Sequence, residues 1–148
     1  MWLFHMFANN KQITSFRGFK LFTGLKVLGD VLPYYVSFSN CTSLETIELP
    51  SSLVKFSYQS LCNTGLKEIT IPANVREILG ESIIRNKKLT TIILLPNTPP
   101  KINDSSIHRL NENLKYIYVP DPSLERYKQE YSRFWLAKLI RPLSEYQG

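Results

Sequence analysis

Two histidines, two cysteines and scattered carboxylates are the side chains of this chain that could bind a metal or move a proton. His5 and His108 lie far apart, and no Cys, His or Asp spacing matches a zinc site. There is no glycine-rich phosphate loop and no nucleophile elbow. Glu45 and Glu48 form a close carboxylate pair, but flanking a strand in the open they read as solvated charges rather than an acid–base couple. No catalytic residue, metal or cofactor is therefore expected, and the chain reads as a non-enzyme. The chemistry that remains is recognition. Tyr116 and Tyr118 offer large, rigid contacts with polar tips, which suit a protein or a sugar.

Those tyrosines belong to a pattern that repeats along the chain. Leu-x-x-Ile, then an apolar residue and a proline, occurs at Leu44–Pro50, Leu66–Pro72, Leu89–Pro96 and Leu114–Pro120. The steps between leading leucines are 22, 23 and 25 residues. Such periods mean a solenoid, in which each coil buries its apolar face only against its neighbours. Each coil reads as a β-branched strand, a proline that ends pairing, and a second apolar pair (Leu53 and Phe56, then Val75 and Ile78). A further apolar residue (Phe38, Leu61, and Ile83 or Ile84) precedes the next leucine.

Residues between the buried ones of each strand face outward, and stacking aligns them in columns about 4.8 Å apart. One column reads Thr46, Glu68, Thr91, Tyr116; the next reads Glu48, Thr70, Ile93, Tyr118. Ile93, Tyr116 and Tyr118 are expected to be exposed together near the C-terminal end. The competing reading is that a C-terminal lid covers them, or that they only support β structure. Three residues before each leading leucine stand Cys41, Asn63, Asn86 and Asn111. A small polar side chain there can satisfy the backbone of a tight corner, so these four are expected to form a structural ladder. Cys41 and Cys62 are 21 residues apart, about one coil. A disulfide between adjacent coils and two buried thiols are both compatible with that spacing; two cysteines are too few for a disulfide framework.

The ends depart from the pattern. Trp2, Leu3, Met6 and Phe7 fall on one face of a short helix, and Ile13, Phe16, Phe19, Phe22 and Leu25-x-x-Leu28 resemble a degenerate first coil. Asp121-Pro122 reads as a helix N-cap and first helical position, followed by Leu124, Tyr127, Tyr131, Phe134 and Trp135 on one helix face. The apolar opening, Met1 to Ala8, is too short for a secretory core and lacks a basic start, so it reads as the end of a longer chain or a cap. No stretch approaches the roughly eighteen apolar residues of a membrane span. The net charge is +6. Lys115, Arg126, Lys128, Arg133, Lys138 and Arg141 gather in the last third. A solvated face is the plain explanation, and attraction to a polyanion is the other.

The run Phe38–Pro50, and again Asn63–Pro72, resembles the repeat of BspA-type leucine-rich repeat proteins. Asn10–Leu25 resembles the entry segment of such domains, and Val119–Lys128 their C-terminal close. The resemblance covers about residues 10–143; Ser60-Leu61 and the 25-residue step before Leu114 depart from it. It implies a leucine-rich repeat solenoid of right-handed coils with a stacked parallel sheet and short helical caps at both ends. One domain would span 1–148, with 1–24 the N-terminal cap and first coil, 25–120 the repeats and 121–148 the C-terminal cap. It also implies an extracellular or cell-surface place in bacteria, and adhesion through protein or glycan on the strand face, without specific nucleic acid. A spacer with no ligand, and polyanion binding through the basic C-terminal third, are the alternatives.

Overall fold

The structure, a computed structural model, describes residues 5–31 and 34–148. After β1 (His5–Met6), the first coil supplies β2 (Ser15–Phe16), β3 (Val27–Val31) and β4 (Tyr34–Val36). The second supplies β5 (Thr46–Ile47), β6 (Lys55–Phe56) and β7 (Leu61–Cys62), and the third β8 (Glu68–Ile71), β9 (Glu77–Ile78) and β10 (Ile83–Ile84). The fourth has β11 (Thr91–Leu94), β12 (Lys101–Ile102) and a single parallel bridge from Ile107 to Ile83. The chain closes with β13 (Tyr116–Val119), helix α1 (Leu124–Glu130) and β14 (Ile140–Pro142).

The second and third coils therefore each have three short strands, one on each of three faces. On the first face β8, β11, β13 and β14 form one parallel sheet, and β2 pairs with β5 beside it. On the second face β3, β6, β9 and β12 stack in parallel; on the third, β7 pairs with β10. The prolines act as expected. Past the first-face strands the backbone turns at once, with Leu53 N–H donating to Pro50 and Val75 N–H to Pro72.

The repeat solenoid predicted from the leucine spacing is what forms. Leu44, Leu66, Leu89 and Leu114 all point into one core that runs from Phe19 to Ile140. At the start of the stack Phe7, Phe16, Phe19, Phe22 and Phe38 make a cluster of edge and stacked contacts, with Phe7 lying flat on Phe38 at 5.1 Å. At this end of the described stack the rings bury their area against one another.

Three local expectations differ. Trp2 and Leu3 of the expected N-terminal helix lie outside the described residues, and its described part, His5–Met6, is a strand parallel to β4. A few apolar residues do not fix a period, and here an unpaired strand edge captures the backbone. The sheet is not wholly parallel, because β3 turns back antiparallel onto β4. Asp121 does not cap a helix. Pro120 occupies the N-cap of the 3-10 turn Asp121–Ser123, and the Asp121 carboxylate instead accepts the Ser144 N–H at 2.9 Å. Hydrogen bonds from the Ser144 hydroxyl first, and from its backbone N–H, draw the Asp121 carboxyl below its ordinary pKa.

The 25-residue step exceeds the preceding one by two residues, one at each of two places. Lys101 follows Thr91 by ten positions, against nine from Glu68 to Glu77, and Tyr116 follows Lys101 by fifteen, against fourteen from Glu77 to Thr91. The enlarged corner presents the carbonyls of Pro96 and Pro100, which accept the buried hydroxyls of Tyr127 and Tyr131, each at 2.6 Å. Two phenols are thereby satisfied inside the core, where an unpaired hydroxyl is costly. Burial raises the pKa of both.

Candidate functional site

The outward columns of the first face are in register. Glu68, Thr91 and Tyr116 are aligned partners, as are Thr70, Ile93 and Tyr118. Thr46 continues the first column and donates to Ser15 Oγ at 2.7 Å. Glu48 follows β5 and pairs with Lys20 at 2.5 Å.

Exposure divides this face in two. Thr46 and Thr70 are exposed, and Glu48 and Glu68 are half-buried. Tyr116 keeps 43% of its surface. Ile93 and Tyr118, expected to be exposed, keep only 6% and 8%, and Thr91 9%. The cause is Tyr146. Its ring meets Tyr118 edge-on at 5.2 Å, and its hydroxyl donates to Glu68 Oε1 at 2.6 Å. A side chain reaching from Glu68 in the third coil to Tyr118 in the fifth passes over Thr91 and Ile93 in the fourth. The anchor of this segment is β14, whose Ile140 and Arg141 add to the sheet beside Ile117 and Tyr118.

The uncovered part is the face of the second and third coils. One groove, about 250 Å³, is lined by Glu45, Thr46, Ile47, Lys67, Glu68 and Thr70. A second, about 410 Å³, runs from Lys20, Ile47 and Glu48 past Thr70 to Pro72 and Leu95. Both mix charged, hydroxyl and apolar groups on a rigid β floor.

The ladder residues hold the corner behind this face. Asn111 donates to Ile83 O at 2.8 Å, and its Oδ1 accepts Asn86 N–H at 3.0 Å. Asn86 donates to Leu61 O at 2.8 Å, and its Oδ1 accepts both Thr64 N–H and the Thr64 hydroxyl. In the third coil the position is thus Thr64, one residue after Asn63. Asn63 instead joins Asn40 and Asn9 in a neighbouring column of left-handed residues, with φ of 53°, 60° and 64°. Their side-chain amides bond in series, Asn63 to Asn40 and Asn40 to Asn9, at 3.0 Å each. Gly65 accounts for the shift. A Cβ there would stand 2.6 Å from Thr42 O, so only glycine lets this corner close one residue early.

A second ladder was missed. Ser37, Ser60, Ser82 and Ser106 are each fully buried, just before Phe38, Leu61, Ile83 and Ile107. Ser37 donates to Gln59 O and Ser60 to Leu28 O, at 2.7 and 2.8 Å; Ser82 bonds Ser57 O and Leu79 O. The signal was a serine recurring one place before each third-face apolar residue.

Cys41 and Cys62 are free, buried thiols. They lie in different columns: Cys41 Sγ donates to Phe7 O at 3.0 Å, while Cys62 aligns with Ile84. Burial pushes both thiol pKa values up. Among the described residues no three His, Cys, Asp or Glu side chains gather to hold a metal. No described helix is long and apolar enough to cross a membrane. Four of the six basic residues named in the last third are individually engaged. Arg126 pairs with Glu130, Lys128 with Glu125, Arg133 stacks on Phe134, and Arg141 donates to backbone carbonyls.

No curated protein matches the chain. The family model for the BspA-type leucine-rich repeat region matches residues 5–131 in six copies. The coils, their strand register and this match agree, and the chain belongs to the BspA-type leucine-rich repeat family.

Proposed function

We propose that this chain is a non-enzymatic binding module of a bacterial cell-surface or secreted protein, recognising protein or glycan through its strand face. The observation that carries the reading is the uncovered first face of the second and third coils. There Thr46, Glu48, Glu68 and Thr70 stand on a floor fixed by backbone pairing, beside grooves of about 250 and 410 Å³. Rigid strands lose little entropy on binding, so small polar and apolar contacts count fully toward affinity. Tyr116 is also exposed, but the covered Thr91 and Ile93 separate it from this surface. On this reading the coils wind right-handed, as crossovers between parallel strands of one sheet do in about 98% of cases.

The test is an immobilised chain against a panel of host matrix proteins and glycans, beside a Thr46→Arg/Thr70→Arg variant. Both positions are exposed, so the variant blocks the face without touching the core. A hit lost in the variant supports the reading. Silence across the panel, or a hit the variant keeps, opposes it and favours a spacer or another surface.

A further inference from the structure

We infer that the corner joining the third, fourth and fifth coils is a second binding site, for a sulfated saccharide. A cavity of about 410 Å³ there is lined by Lys67, Lys87, Lys88, Thr90, Asn113 and Lys115. Backbone pairing sets the arrangement. Thr90 N–H donates to Lys67 O and Lys115 N–H to Thr90 O, both at 2.9 Å, which stacks the three residues following the leading leucines. Lys87 and Lys88 come from the turn between Asn86 and Leu89, and swing into the same corner.

The charge is concentrated and weakly compensated. Glu45 is the one carboxylate paired here among the described residues, 3.9 Å from Lys67 and 3.8 Å from Lys88. Among the described residues, Lys87 and Lys115 have no carboxylate within ion-pair distance. Four ammonium groups facing one carboxylate leave a local excess of three positive charges. Such a cluster repels itself, and an anion relieves that repulsion on binding.

The other lining groups indicate which anion. The Thr90 hydroxyl bonds Lys67 O, and the Asn113 amide bonds Lys87 O at 2.6 Å. Each side chain keeps an oxygen able to accept from a sugar hydroxyl. No aromatic ring lines the cavity, so there is no platform on which a single-stranded nucleic acid would stack its bases. Compact lysine charges beside neutral hydrogen-bonding groups suit sulfate esters on a hydroxyl-bearing ring. The site lies off the strand columns; it shares Lys67 with the smaller strand-face groove, whereas Lys87, Lys88, Thr90, Asn113 and Lys115 line this corner alone.

The experiment uses the full chain in fluorescence anisotropy with a labelled, heparin-type hexasaccharide. The same hexasaccharide without sulfate and a short DNA duplex are the comparison probes. Sulfate-dependent binding that weakens with salt is expected, and Lys87→Gln/Lys115→Gln should weaken it about tenfold, as two lost ion pairs would. Lys128→Gln, which removes a basic residue elsewhere, should change it less than about twofold. No binding at low salt, equal binding of the unsulfated sugar, or an unchanged double variant would overturn the site. Tighter binding of DNA through the same lysines would overturn the saccharide.

Discussion

The Tyr146 hydroxyl reaches Glu68 across 78 residues of sequence, at 2.6 Å, while its ring packs edge-on against Tyr118 at 5.2 Å. One side chain from the closing segment thus joins the third coil to the fifth, spanning the outward Thr91 and Ile93 of the fourth, which are buried. The bond needs a protonated phenol, and it raises the Tyr146 pKa from its ordinary value near 10 to about 12. Its contribution is therefore complete below pH 10 and disappears as pH rises through about 12. Water screens this surface contact, so Tyr146→Phe should cost under about 1 kcal/mol at neutral pH. Denaturant melts of both proteins between pH 8 and 12 should converge at the alkaline end. A constant difference would show that the hydroxyl is not engaged.

The corner ladder predicts an asymmetry between neighbouring asparagines. Asn86→Ala strips partners from Leu61 O, Thr64 N–H and the Asn111 amide in a buried corner, and should cost about 3 kcal/mol or more. Asn63→Gly keeps the left-handed backbone and removes a partly exposed amide, so about 1 kcal/mol or less is expected. Urea unfolding midpoints compare the two. Equal losses would return the third-coil ladder position to Asn63.

Gly65 should be intolerant for a related reason. In Gly65→Ala the new methyl meets backbone rather than a flexible side chain, 2.6 Å from Thr42 O and 3.0 Å from Leu44 O. About 1–3 kcal/mol of destabilisation is expected. Gly24→Ala, with nothing within 4 Å, should be nearly neutral, and thermal melts of the pair check this.

These two predictions mark where the sequence was legible. The leading leucines set the strand register because each must reach the same core, so the columns through Glu68, Thr91 and Tyr116 could be read from spacing alone. The Asn63 register slipped because its corner is one residue shorter, and the shortening depends on a backbone approach at Gly65 that no spacing rule reveals. The serine column was readable at the same period but hidden by the commonness of serine. A C-terminal lid over Ile93 and Tyr118 was the competing reading of the sequence, but Tyr146 as the residue that supplies it was not readable, since it arrives only because β14 adds to the sheet. Pro142 fits that place, because β14 is an edge strand and an edge strand tolerates proline.

Thiol reactivity gives a simple check of the third corner of each coil. Cys41 and Cys62 are buried, and burial raises both thiol pKa values, so little thiolate is present near neutrality. Ellman's reagent should react slowly with the native chain and titrate two thiols after denaturation. Fewer than two thiols on denaturation, without reductant, would mean a disulfide.

Tyr146 divides the strand face into an open half and a covered half. Hydroxyl-radical footprinting with mass spectrometry reads that division side chain by side chain. The structure predicts rapid labelling of Tyr116 and Tyr58, at 43% and 46% exposure, and protection of Tyr118, at 8%. Tyr118 should become labelled in Tyr146→Ser. Equal labelling of Tyr116 and Tyr118 in the native chain would contradict the closure, and with it the placing of the recognition surface on the second and third coils.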